Sequence, residues 1–131
     1  MTIVSDFNSR VRILINRIKK KIKIESVFLE IESMENKLFL LVSTMGSDYI
    51  LVNSKEYLLE YKDHILNSDR TVRDSFIMNT DFSIRCEKKQ TIEFLSKLKI
   101  EYTKLKQPDR DALFEDIQYL LIKSNEYNAD Q

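Results

Sequence analysis

Cys86 and His64 are the only thiol and the only imidazole in the chain. A Cys–His pair could supply a nucleophile and its base, since such partners need only meet in space. Cys86, however, lies in an alternating stretch that places it on the inner face of a predicted strand. Free cysteine is most often buried as a small apolar residue, so we interpret Cys86 as part of the core.

Carboxylates offer the other candidate chemistry. Glu60 lies four residues before His64, and such a pair on a helix could serve acid–base chemistry, but no neighbouring residue would orient the imidazole. Glu30, Glu32 and Glu35 could supply a paired-carboxylate hydrolase, although a solvated face explains them more simply. Four acids near the start of the last segment could bind a divalent cation, but their spacing distributes them around a helix: Asp109, Asp111, Glu115 and Asp116. We predict no catalytic residue, no metal and no cofactor.

The scarcity of glycine and proline excludes further classes of site. The 131 residues include one glycine, Gly46, and one proline, Pro108. Phosphate-binding loops need several glycines, because the backbone must approach the ligand closely. A Walker loop, a dinucleotide-binding fingerprint and a nucleophile elbow are therefore absent. We expect regular elements joined by short polar turns.

Charge is segregated along a chain whose formal net charge is zero. Residues 1–24 carry seven basic and one acidic side chain, and residues 25–84 carry five basic and eleven acidic ones. Residues 85–106 carry seven basic and three acidic side chains, and residues 107–131 two and six. Such alternation either lets neighbouring elements neutralise one another or leaves a basic face and an acidic face on one body.

The basic segment predicts a long amphipathic helix. Val4, Phe7, Val11, Leu14, Ile15, Ile18 and Ile22 recur at helical spacing on one face, and the basic residues cover the remaining arc. Ile13 lies among those charges as the one apolar residue off the stripe.

Period-two alternation predicts a sheet after this helix. "SVFLEIES" alternates apolar and polar residues, "LFLLVST" and "YILVN" are apolar on both faces, and "MENK" and residues 45–48 form the turns. Gly46 would supply the positive φ of the second turn. We therefore predict a three-stranded antiparallel meander.

Helices and one ambiguous segment follow the meander. A helix capped by Ser54 would bury Leu58, Tyr61 and Ile65. In residues 68–87, "SFIM" and "FSIRCE" form a second hairpin, or a short helix starts near Asp69. Two C-terminal helices complete the chain, over residues 88–106 and from Pro108 onward. Their stripes contain Phe94, Leu95, Leu98, Tyr102 and Leu105, then Leu113, Phe114, Ile117, Leu120 and Leu121.

The predicted fold is a single α+β domain over residues 1–131, with helices packed on the sheet and a frayed tail at 126–131. The order of its elements resembles that of type III secretion chaperones, although the extra final helix and the neutral charge depart from that family. One cysteine, no cleavable leader and no long apolar run predict a cytoplasmic protein that does not span a membrane.

The absence of catalytic motifs together with segregated charge predicts a non-catalytic protein-binding module. It would modulate a partner protein as an immunity protein, a phage-type inhibitor or a secretion-chaperone-like adaptor, and a homodimer is also compatible with the sequence. The expected contact residues are basic on one face and acidic on another: Arg12, Lys19, Lys20, Lys23, Glu30, Glu32 and Glu35. The alternative is a nucleic-acid-binding protein whose basic helix also uses Arg10, Arg17 and Lys21.

Titration with duplex and single-stranded oligonucleotides across a salt series separates these two hypotheses. Phosphate contacts release counterions, so nucleic-acid binding would weaken steeply as salt rises. For a protein-binding module we expect no binding even at low salt. A dissociation constant below about 1 μM that rises steeply with salt would instead support the nucleic-acid hypothesis.

Overall fold

The described part of the chain is entirely helical. The computed structural model describes residues 2–21, 25–80 and 89–127, leaving out the side chains of residues 89–92, 94 and 95. These residues form seven helices and no strand. The helices are α1 (Ile3–Lys21), α2 (Glu25–Met45), α3 (Tyr49–Glu60), α4 (Lys62–Ile65), α5 (Arg70–Asn79), α6 (Lys89–Lys104) and α7 (Gln107–Glu126). The predicted α+β class is therefore wrong. The resemblance in element order to type III secretion chaperones is wrong as well, because it depended on the predicted strands.

The predicted meander is occupied by α2 and the start of α3. In "SVFLEIES" the residues Val27 and Ile31 are buried but Leu29, which a strand would turn to the same side, is exposed. Leu38 and Val42 continue this buried side farther along α2. The spacing of these four buried positions follows one face of a helix. Residues four positions apart lie on the same face in a strand and in a helix alike. The pair Val27 and Ile31 therefore does not show which of the two this eight-residue stretch forms.

The predicted first turn is also helical. "MENK" contains Met34, Glu35 and Lys37, which favour helices, and it has no glycine or proline to end one. Helix α2 instead ends at the second predicted turn, where Gly46 has a φ of 124°. The prediction that Gly46 supplies a positive φ is confirmed, but its turn joins two helices rather than two strands.

Helix α3 begins at Tyr49, five residues before the predicted cap. Ser54 is therefore inside the helix, where its hydroxyl donates to the carbonyl oxygen of Ile50 at 2.7 Å. The helix stops at Glu60, and Tyr61 separates it from the short α4. Leu58, Tyr61 and Ile65 lie on the buried side as predicted.

The ambiguous segment adopts the helical alternative where it is described. Asp69 caps α5, because its carboxylate accepts a hydrogen bond from the backbone N–H of Thr71 at 2.8 Å. "SFIM" lies within α5, so the second hairpin is wrong on this side. Its other half, "FSIRCE" with Cys86, lies outside the described residues.

The predictions of the first helix and of the last two helices are confirmed. Pro108 lies in the first turn of α7, where its missing N–H leaves no carbonyl unpaired. Helix α7 runs between two apolar clusters: Leu120 joins Phe7, Val11, Ile15, Val27, Ile31, Ile50 and Leu51, whereas Phe114 and Leu121 join Ile65 and Phe76. The last helix is thus the central one, because both halves of the core pack against it.

Tyr127, which directly follows α7, ties the end of the last helix to the α2–α3 corner. Its hydroxyl donates to Asp48 Oδ2 at 2.7 Å, and its carbonyl oxygen accepts from Lys55 Nζ at 2.9 Å.

A buried carboxylate joins the first helix to the last. The Asp116 side chain is fully buried, and its Oδ1 accepts a hydrogen bond from Arg10 Nη1 at 2.9 Å. Arg17 Nε lies 3.3 Å from Oδ2, close enough for charge attraction but without hydrogen-bond alignment. The Arg10 guanidinium also lies over the Tyr119 ring, 4.2 Å from its centroid. Two arginines two turns apart on α1 thus neutralise one charge of α7.

Replacing Arg10 with alanine tests this linkage. We expect Arg10→Ala to lower the free energy of unfolding by about 2–3 kcal/mol, since a buried carboxylate loses its hydrogen-bonded partner. The matched control is Lys20→Ala, which removes an exposed charge from the same helix and should change stability by less than about 0.5 kcal/mol. Urea denaturation followed by circular dichroism measures both, and equal midpoints would contradict the linkage.

Candidate protein-interaction surface

The three arginine and lysine residues assigned to the nucleic-acid alternative lie on the flank of α1 that faces α7. Arg10 and Arg17 pair with Asp116, and Lys21 Nζ lies 3.4 Å from Asp109 Oδ1. Phosphate would therefore have to compete with carboxylates that already neutralise these side chains.

Helix α2 packs against the opposite flank of α1. The Arg12 guanidinium lies over the Phe39 ring at 3.6 Å from its centroid, a cation–π contact. Lys19 Nζ lies 2.7 Å from Glu35 Oε1, and both side chains are largely buried. Lys19 and Glu35 were predicted to lie on separate binding faces, whereas the structure places them in one intramolecular ion pair.

Between the two flanks a narrow strip of α1 faces solvent. Ile13 and Lys20 lie on this strip, and both are exposed. Of the six described basic residues of the segment, Lys20 alone has no ion pair or cation–π contact within the described part of the chain. Lys23 lies outside the described residues. The structure thus favours the first interpretation of the charge pattern, in which neighbouring elements neutralise one another.

The predicted acidic contact residues are all on α2. Glu30 Oε1 lies 3.2 Å from Lys97 Nζ of α6 in an exposed ion pair. Glu35 belongs to the pair with Lys19, and Glu32 is half-buried. Two of the three predicted acidic contact residues are therefore occupied by lysines of the same chain.

Three of the four acids considered for a divalent cation are engaged by bases, and the fourth, Glu115, is exposed. Asp111 lies 2.9 Å from Arg70 and 3.4 Å from Arg73, while Asp109 and Asp116 bind residues of α1. Among the described residues no group of three or more potential ligands could hold a metal ion.

His64 is separated from its predicted partner by a helix break. Glu60 ends α3 and His64 belongs to α4, so the i,i+4 geometry of a continuous helix does not apply. The imidazole instead stacks on Phe76, with ring centroids 5.1 Å apart and planes 20° from parallel. Ring stacking on Phe76 fixes the orientation of His64, while Cys86, the predicted nucleophile, lies outside the described residues.

A tyrosine–aspartate–arginine cluster links α5, α6 and α7. The Tyr102 hydroxyl donates to Asp74 Oδ1 at 2.6 Å, and Arg110 Nη1 lies 3.3 Å from Asp74 Oδ2. Burial and the hydrogen bond to Asp74 raise the pKa of the Tyr102 phenol. A phenol held protonated in this way is a structural hydrogen-bond donor rather than a base.

An exposed apolar surface lies at the C-terminal end of α2. Residues 38–47 contain no charged side chain. Within them Leu40 is 63%, Leu41 38% and Met45 67% exposed. We call these three residues the apolar end of α2. Leu38 and Val42 of the same run pack against the core, so α2 is apolar on more of its circumference than the core covers.

Comparison with known proteins gives no family to guide the interpretation. No protein-family model matches the chain, and no curated protein or solved structure matches it either. In the described ranges, none of the helices combines the length and the apolarity needed to cross a lipid bilayer.

The apolar end of α2 was missed because "LFLLVST" was interpreted as a central strand, in which both faces are buried. The signal was present in the uncharged run of residues 38–47. Had the run been placed on a helix, Leu38 and Val42 would have shared one face, with Leu40 turned away from it.

Replacing Tyr102 with phenylalanine tests the cluster through its pH dependence. At neutral pH, Tyr102→Phe should cost about 1 kcal/mol of unfolding free energy through loss of one hydrogen bond. Because the phenol pKa is raised in the folded protein, the unfolded chain releases this proton first as pH rises above about 10. The Tyr102 contribution is then lost, so the stability gap between wild type and variant should narrow by about pH 11. Urea denaturation at both pH values measures the gap, and a constant gap would contradict the raised pKa.

Proposed function

We propose that the chain is a non-catalytic protein-binding module that modulates a partner protein through the apolar end of α2. The supporting observation is the exposure of Leu40, Leu41 and Met45 on a stretch of helix without charge. Clustered apolar residues on a protein surface commonly mark interaction sites, whereas single exposed ones need no explanation.

The flanks of this surface suggest the chemistry of the partner. Toward its N-terminus α2 is acidic, with Glu25 exposed and Glu32 half-buried. An interface typically combines an apolar centre with a polar rim that provides specificity and faster association. The partner we propose therefore presents apolar anchors to Leu40 and Met45, with basic residues beside them that face the acidic half of α2.

The intramolecular contacts of the basic helix favour this proposal over nucleic-acid binding. Arg10, Arg17 and Lys21 are paired with carboxylates of α7, and Lys19 is paired with Glu35. Phosphate binding would have to displace these ion pairs, whereas a partner docked on α2 leaves them intact.

Photocrosslinking followed by reconstitution tests the proposal. A photoreactive amino acid at position 40, expressed in the source cells, should form an adduct with one protein that mass spectrometry identifies. That protein, purified, should bind the unmodified chain in calorimetry. Leu40→Glu should weaken binding by about tenfold or more, because it places a charge in the apolar centre of the interface.

The matched control is Ile122→Glu, the same kind of change at an exposed apolar position of α7. It should leave the affinity within about twofold of wild type. Equal weakening by both variants, or none by Leu40→Glu, would overturn the proposed surface. If position 40 crosslinks to a second copy and Leu40→Glu abolishes a dimer in sedimentation, the surface is an interface between copies instead.

A further inference from the structure

A cavity lies where four helices meet, on a different part of the molecule from the apolar end of α2. Its volume is about 220 Å³, and its walls come from α1, α5, α6 and α7. Aliphatic side chains supply most of the lining, among them Leu14, Ile18, Leu98, Leu105, Leu113 and Ile117. Gaps between the helices of a bundle are common ligand sites.

The size of the cavity limits what would fill it. An apolar cavity of about 150 Å³ stays free of water and accommodates benzene. At about 220 Å³ this one would accept a larger apolar group, such as two fused rings or a short alkyl chain. The cavity is half-open to solvent, and water that enters it gains little from walls that offer almost no polar surface.

The charged side chains of the lining are already engaged. Lys21 pairs with Asp109, Glu101 Oε1 lies 3.3 Å from Lys104 Nζ, and Lys99 donates to the Thr80 carbonyl oxygen. These residues therefore contribute their aliphatic stems to the walls, while Lys21 and Glu101 have oppositely charged partners and Lys99 is hydrogen-bonded to a carbonyl.

The remaining polar group of the described lining, the Tyr102 hydroxyl, is also occupied. It donates to Asp74, which is not a lining residue, so the aromatic ring is what Tyr102 offers to the cavity. A charged occupant would lose its hydration against walls that are mostly aliphatic and aromatic.

We propose that this cavity is a binding site for a small uncharged hydrocarbon-rich molecule, aromatic or alkyl, of about the size of two fused rings. Such a molecule satisfies the aliphatic walls by dispersion contacts and displaces no ion pair. Binding would stabilise the junction of α1, α6 and α7, since ligands that bind only the folded state shift its equilibrium. This inference is independent of the proposed protein-binding function.

Fluorescence titration with the neutral dye N-phenyl-1-naphthylamine tests the site on the full chain. We expect saturable binding to one site per chain and a rise in Tm with dye concentration. Ile18→Phe adds volume to the cavity wall and should weaken binding by about tenfold or more. Leu98→Phe, on the facing helix α6, serves the same purpose if circular dichroism shows that Ile18→Phe does not fold.

Two controls locate the dye and test its charge preference. Ile13→Phe makes the same replacement on the exposed strip of α1 and should leave affinity within about twofold. The anionic dye 1-anilinonaphthalene-8-sulfonate should bind more weakly than the neutral one. The proposal is overturned if no saturable binding occurs, if the filled variants bind as wild type does, or if the anionic dye binds more tightly. Loss of binding in Leu40→Glu but not in Ile18→Phe would assign the dye to α2 and also overturn it.

Discussion

The burial of one carboxylate, that of Asp116, organises the molecule. A fully buried charge is tolerated only when it is paired, and Arg10 and Arg17 supply that pairing from α1. This requirement fixes the rotation of α1 about its own axis. Its apolar stripe then meets the core beside Leu120 of α7, which lies one turn beyond Asp116. Apolar side chains supply the contact area between α1 and α7, and the ion pair determines how the two helices are aligned.

The orientation of α1 on α7 also determines which neighbours its other basic side chains reach. Arg12 and Lys19 are directed to Phe39 and Glu35, which sets the side that α2 presents to α1. Five of the six described basic residues of the first segment thus make internal contacts, and Lys20 is exposed. The same arrangement determines which side of α2 stays outside, and its uncharged end carries exposed apolar residues. The segregated charge thus holds the helices of this protein together, and the surface that we propose for a partner is the apolar end of α2.

Helical stretches were predictable wherever the apolar pattern was long and one-sided. The apolar stripe of α1 and the Pro108 start of α7 are examples. The meander failed because Val27 and Ile31 fit both periods, and because residues 38–42 are apolar without alternation. Such runs belong equally to a central strand or to a helix with one exposed side. The pairing of Arg10 with Asp116 was beyond prediction for another reason: the partners are 106 positions apart, and no local pattern connects them.

That separation has a consequence for how the chain folds. The helices that share the central interface are the first and the last, so the contact that organises the core closes a loop of nearly the whole described chain. Closing such a loop costs entropy before any contact is gained, and long-range contacts slow folding. On the ribosome, α1 can pack against α2 and α3 as these emerge, but it lacks its main partner until α7 is synthesised. Part of its apolar stripe therefore stays uncovered until then, and α1 is a segment that a chaperone would protect.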